Sequence, residues 1–130
     1  MRTFVTFTAC ALALMVVAGC KQTSVEGPGG KKLTLMKPAD QTLTKGTPNQ
    51  VMITINRDNF RDEVSVSFDN LPQGVTVQDK DKKIANGDST ASFTLLADAN
   101  AALVQNHEVR VTVTGPDNMK ATEVFRLSVK

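Results

Sequence analysis

From Leu33 to the last residue, apolar side chains in this chain keep falling on every second position. Val51, Ile53 and Ile55 alternate with Met52, Thr54 and Asn56, and Val64, Val66 and Phe68 alternate with Ser65 and Ser67. Ala91, Phe93 and Leu95, then Val109, Val111 and Val113, then Phe125, Leu127 and Val129 repeat the pattern. Successive side chains of an extended strand point to opposite faces, so this period builds strands with one apolar face each. Two such sheets must meet face to face to keep those faces dry. With Leu33 and Leu35 in a first strand and Val75-Thr76-Val77 in a short one, the count is about seven strands at roughly 8–12-residue spacing, the rhythm of an all-β two-sheet sandwich. Leu71-Pro72-Gln73-Gly74, Asn86-Gly87 and Gly115-Pro116-Asp117-Asn118 supply turn chemistry between them. Only Ala97 to Val104 breaks the rhythm. Its Ala/Asn/Leu content predicts a helical turn, with Leu103 packed on the sandwich edge.

The first nineteen residues belong to a different kind of sequence. Arg2 is followed by an uncharged Ala/Leu/Val-rich run from Phe4 to Ala18, and the stretch ends in Val17-Ala18-Gly19-Cys20. A positive start, an apolar middle and a small-residue end describe a cleaved secretory signal. The run is short of the roughly 20 residues a membrane span needs, and no cationic cluster follows it. Ala18-x-Cys20 could also serve as an ordinary cut site before Lys21. The ending resembles the lipobox of bacterial lipoproteins, a branched residue, two small ones and a cysteine. That resemblance implies lipidation of the Cys20 sulfur and cleavage before it. Cys10 has Phe7 and Thr8 before it and sits inside the apolar run, so it is the poorer candidate. Lys21 stands where an Asp would retain a lipoprotein in the inner membrane, which leans towards the outer membrane, on its periplasmic or surface face. Two or three acyl chains hold a domain at a bilayer permanently.

The chain therefore divides into a signal peptide at 1–19, a lipidated Cys and flexible Gly/Pro tether at 20–32, and a sandwich at 33–130. The tether reading rests on the polar run QTSVEGPGGKK from Gln22 to Lys32. Neither cysteine is left for a disulfide, so stability must come from the apolar core. Of 15 Lys and Arg against 13 Asp and Glu, only Arg2 lies in the leader, leaving 14 against 13. That balance gives no electrostatic case for nucleic acid. Trp and Tyr are absent, and only Phe60, Phe68, Phe93 and Phe125 lie beyond the leader.

The run from Val51 to Phe60, then Val64-Ser-Val-Ser-Phe68, Asn70-Leu-Pro-Gln-Gly-Val75 and Phe93-Thr-Leu-Leu-Ala97, resembles bacterial immunoglobulin-like modules. Such modules resemble fibronectin-III-like sandwiches and recur in secreted and envelope proteins. The resemblance implies a seven-stranded immunoglobulin-like β-sandwich. It departs from antibody domains in lacking a Cys…Trp…Cys set and any Tyr for a tyrosine corner. His107 and Glu108 stand before the F-like strand instead, so that corner must be built another way.

Catalytic chemistry finds little support. His107 is the only histidine, and Ser65, Ser67 and Ser92 alternate with core residues, so they face solvent. No Gly-x-Ser-x-Gly elbow presents a nucleophile. Loop carboxylates at Asp58, Asp62, Glu63, Asp69, Asp79, Asp81 and Asp88 could offer oxygens to calcium, but Lys80, Lys82 and Lys83 are interleaved with the best of them. An aromatic sugar platform would want Trp or Tyr. Phe60, within Arg57-Asp58-Asn59-Phe60-Arg61, reads as a plug for one sandwich end. No catalytic, metal or cofactor-binding residue is assigned. The expectation is a non-enzymatic envelope lipoprotein, anchored through Cys20, with one binding or structural module. Its partner would be an envelope protein or glycan, met at a loop end or an exposed strand edge. A calcium- or glycan-binding module using the Asp-rich loops is the alternative.

Overall fold

The computed structural model describes residues 22–79 and 81–130. The signal segment and Val17-Ala18-Gly19-Cys20 lie outside the described residues, as do Lys21 and Lys80. Ten strands follow in order: β1 (Gln22–Glu26), β2 (Lys32–Met36), β3 (Gln41–Leu43), β4 (Pro48–Asp58), β5 (Val64–Asp69), β6 (Val75–Val77), β7 (Lys83–Ile84), β8 (Thr90–Ala97), β9 (Val104–Thr114) and β10 (Lys120–Val129). They form two five-stranded sheets, β1-β2-β4-β8-β6 and β3-β10-β9-β5-β7.

The seven strands read from alternation are β2, β4, β5, β6, β8, β9 and β10. Lettered A to G in chain order, they pair as A-B-E-D in one sheet and C-F-G in the other. That is the strand order of the immunoglobulin sandwich. β1, β3 and β7 are additions at sheet edges. Inward residues are buried as the period requires: Val51, Ile53 and Ile55 from β4, Phe93 and Leu95 from β8, Val109, Val111 and Val113 from β9. Phe68 stands edge-on to both Phe93 (5.4 Å between centroids) and Phe125 (6.4 Å), joining the two sheets through aromatic contacts.

Two expectations are corrected. The stretch expected to be a flexible tether is a hairpin from Gln22 onward: β1 pairs antiparallel with β2, Gln22 opposite Met36 and Glu26 opposite Lys32. The Gly-Pro-Gly-Gly run is its turn, closed by Gly27 N–H donating to Lys31 O at 2.9 Å, with Gly29 at φ 73°. Val25 packs on the core, and Thr23 Oγ1 donates to Glu123 across the sandwich. One inward valine and one inward threonine sufficed to order the strand once a neighbour was available.

The second correction concerns Ala97 to Val104, which contains no helix. Asp98 N–H donates to Gly74 O at 2.9 Å and Ala102 N–H to Gln73 O at 3.2 Å, stitching this loop to the β5–β6 turn. Ala101 is buried there and Leu103 is 66% exposed, the reverse of the expected packing. Only a small side chain fits. A Cβ added to Gly74 would lie 2.6 Å from Ala101 Cα.

Both flanks of the sandwich are made by chain that changes sheets. β2 lies beside β4, and the chain then crosses to the other sheet as β3. β6 lies beside β8, and the chain crosses to become β7 beside β5. Among the described residues, each crossing leaves part of a core strand without a neighbour, and each crossing carries a Lys and an Asp that cover it. Lys37 Nζ donates to Val124 O, and Asp40 Oδ1 accepts from Arg126 N–H at 2.9 Å. Lys82 Nζ donates to Ser92 O at 2.6 Å, and Asp79 Oδ2 accepts from Thr94 N–H at 3.0 Å. Each pair supplies the two bonds that one residue of an adjacent strand would make, around Phe125 in one case and Phe93 in the other. The order along the chain follows strand direction: Lys before Asp where β3 runs parallel to β10, Asp before Lys where β6 runs antiparallel to β8.

Candidate functional site

Two surfaces could present chemistry: one loop end and one flank. The loop end gathers the β1–β2 turn and the β4–β5, β7–β8 and β9–β10 connections. It is knitted by Arg57, which projects from the end of β4. Its guanidinium donates to the carbonyls of Asp62, Ala85 (3.2 Å) and Asp88 (2.5 Å), and lies 5.3 Å from the Phe60 ring centroid. Arg57 Nε is buried without a hydrogen-bond partner among the described residues. Burial, followed by repulsion from Arg61, draws the guanidinium below its usual pKa, while Asp88 and Asp62 oppose this. Phe60 is 8% exposed and plugs this end, as its place in the turn suggested. Asn59 Nδ2 donates to Gly30 O at 2.7 Å, and Lys31 pairs with Asp117 at 2.8 Å. The Asp117 contact raises the Lys31 pKa, by hydrogen bond first and charge second. These contacts commit the loop tips to one another. This end is a structural knot.

The flank at β5 and β6 is different. β7 covers only Val64 and Ser65 of β5, and among the described residues no strand lies beside the rest of β5 on that side. β6 is the last strand of its sheet. Between the two edges lies a hollow of about 330 Å³ lined by Val66, Ser67, Phe68, Leu71, Val75 and Val77. Phe68 and Leu71 are half-buried, so the wall is apolar and reachable. Backbone N–H and C=O groups of an edge beside an apolar hollow suit an extended segment, which takes the ladder bonds and places alternate side chains inward.

The other residues singled out by sequence are scattered. His107 lies within β9, where Nε2 meets Asn70 O at 2.7 Å, and Asn70 Nδ2 donates to Glu108 O at 2.7 Å. His107 and Asn70, the latter at φ 64°, thus tie the start of β9 to the β5–β6 connection. Ser65 and Ser67 face solvent from β5, and Ser92 is half-buried on β8, away from His107. Among the described residues no three His, Cys, Asp or Glu side chains gather where they could hold a metal ion. Asp79 is occupied by Thr94, and Glu63 pairs with Lys83 at 3.0 Å. Sequence reasoning missed the hollow because Phe68 reads as one more alternating strand residue and Leu71 as part of a turn. What exposes them is the two-residue length of β7.

No family model matches the chain, and no curated protein matches it. Among solved structures it is similar to a chimeric titin Z1Z2 functionalized with a KLER exogenous peptide from decorin, at 21% identity and a TM-score of 0.45, covering 75% of this chain and 93% of that one. It is also similar to domains 4 and 5 of the S-layer protein SbsC, at 15% identity and a TM-score of 0.39, covering 88% of this chain and 74% of that one. The strand order, not these distant likenesses, defines the sandwich as immunoglobulin-like.

Proposed function

We propose that this chain is a lipid-anchored lipoprotein of the bacterial cell envelope whose immunoglobulin-like sandwich is a non-enzymatic binding module. The anchor reading is supported by Val17-Ala18-Gly19-Cys20 behind its apolar leader, and Lys21 supports outer-membrane sorting. The observation that carries the binding reading is the open flank, where the uncovered part of β5 and the edge of β6 frame the apolar hollow at Phe68. An extended segment of an envelope protein would add beside β5, with backbone bonds giving affinity and one apolar side chain entering the hollow. The non-enzymatic reading draws support from His107, whose ring nitrogen is committed to a backbone carbonyl.

Photo-crosslinking in intact cells tests the site. A crosslinker at Ser67, on the hollow, gives a discrete adduct, and one at Met52, 58% exposed on the outer face of β4, gives none. The opposite pattern refutes the flank. For the anchor, Cys20→Ser abolishes acyl labelling and detergent-phase partitioning; unchanged partitioning refutes it.

A further inference from the structure

We infer that, when Cys20 carries its lipid, the sandwich lies on its side against the bilayer, with the flank of β1 and β3 on the headgroups and the hollow at Phe68 turned away. The inference rests on the anchor proposed above and adds an orientation to it. Its source is the hairpin found where a tether was expected. Gln22 is already in β1, opposite Met36, so one residue separates it from Cys20. Two peptide steps span at most about 7 Å.

The position of Gln22 along the sandwich decides the orientation. Leu35 pairs with Ile55, which sets Met36 and Gln22 level with Thr54, part-way along β4. From Thr54 the sandwich continues about 13 Å to Asp58 at one end and about 20 Å to Pro48 at the other. If the Pro48 end stood on the membrane, Gln22 would be held about 20 Å above it, beyond a reach of about 7 Å plus the glyceryl group. If the Asp58 end stood on the membrane, the chain would leave β1 in the wrong direction, because β1 runs from Gln22 towards that end. The side-on arrangement satisfies both constraints.

Thr42 of β3, exposed on the flank that then meets the headgroups, borders an open hollow of about 710 Å³ with Gln105, Ser128 and Lys130. The five strands from β1 to β6 span four gaps, so the far flank stands about 19 Å further from the lipid.

The test uses the acylated protein in vesicles of phosphatidylethanolamine and phosphatidylglycerol carrying a headgroup-attached quencher. Cys10 leaves with the leader and Cys20 is capped by lipid, so one introduced thiol is labelled uniquely. Fluorophores are placed through Thr42→Cys on β3, Thr76→Cys on β6, Lys45→Cys at one end and Asn86→Cys at the other. Quenching is strongest at 42, weakest at 76, and intermediate at 45 and 86. A Gly-Ser segment inserted between Lys21 and Gln22 removes the difference between 42 and 76. Strongest quenching at 45 or 86, equal quenching everywhere, or a pattern indifferent to the insertion overturns the inference while leaving the anchor intact. An intact mass without lipid overturns the anchor itself, so the two failures are told apart.

Discussion

On one flank the chain leaves its sheet after Met36 and re-enters the other as β3; on the second it leaves after Val77 and re-enters as β7. Both crossings expose a strand next to a fully buried phenylalanine, and both answer with one lysine and one aspartate. The flanks differ in what lies outside that device. On the first, β1 adds a further strand and contacts β10 through Thr23 and Glu123. On the second, three-residue β6 and two-residue β7 leave most of β5 uncovered. Unpaired edges invite other chains, and proteins that must stay monomeric cover them. A molecule that caps backbone groups so carefully on both sides, yet leaves one apolar edge open, has the asymmetry expected of a recognition edge.

The largest expected effect tests whether the flanks share one core. Phe93→Ala and Phe125→Ala each cost about 4 kcal/mol in urea unfolding, as large-to-small changes at filled core sites do. Phe68→Ala costs about half as much, because the half-exposed ring already forgoes part of its burial. Equal losses at Phe68 and Phe93 would mean the flank is closed in solution.

Next comes the pair of turns. Gly74 and Gly29 both hold positive φ, at 85° and 73°. A Cβ at Gly74 would run into the Ala101 backbone, whereas one at Gly29 meets nothing within 4 Å. Gly29→Ala therefore costs about 1 kcal/mol, the backbone penalty alone. Gly74→Ala costs about 3 kcal/mol, since overpacking is added. Equal costs would show that the β8–β9 loop yields freely and that the open flank is soft.

The edge caps follow. Asp40→Ala and Asp79→Ala each remove one charge-assisted bond to a backbone N–H, for about 1–2 kcal/mol apiece. They lie on opposite flanks, so the double variant loses the sum to within about 0.5 kcal/mol. A marked departure from additivity would show that the flanks communicate through the two phenylalanines.

How much of this was legible follows from the number of inward side chains per strand. β4, β8, β9 and β10 each carry three or more apolar residues in alternation, and burial alone specifies them. β3 carries a single Leu43 and β1 a single Val25 among polar residues. Their order comes from edges already present in the fold, which no local pattern encodes. The same holds for Asp79 and Lys82, which read from sequence only as interleaved charges of a loop. They sit three residues apart, as Lys37 and Asp40 do, but only the strand direction beside them gives that spacing meaning. The hollow is legible least of all, because it depends on where β7 stops.

The smallest effect concerns the tie between the β1–β2 turn and the β9–β10 connection, on the end where both flanks begin. Lys31 meets Asp117 at 2.8 Å, and that contact raises the lysine pKa above its ordinary 10.5. A raised folded-state pKa means the folded protein holds this proton more tightly than the unfolded chain. The contribution is therefore complete below the ordinary value and fades as pH climbs through the raised one. Lys31→Gln should lower the melting temperature slightly at neutral pH, and the gap from the parent should close in the alkaline range above 10.5. Added salt should shrink it at neutral pH as well, because the pair is exposed to solvent. The hairpin stays attached in the variant, since five register pairs with β2 and the Asn59–Gly30 bond remain. A gap that persisted unchanged to high pH would mean that Lys31 contributes through its methylene stem on the turn, and the flank would then owe its closure to packing rather than to charge.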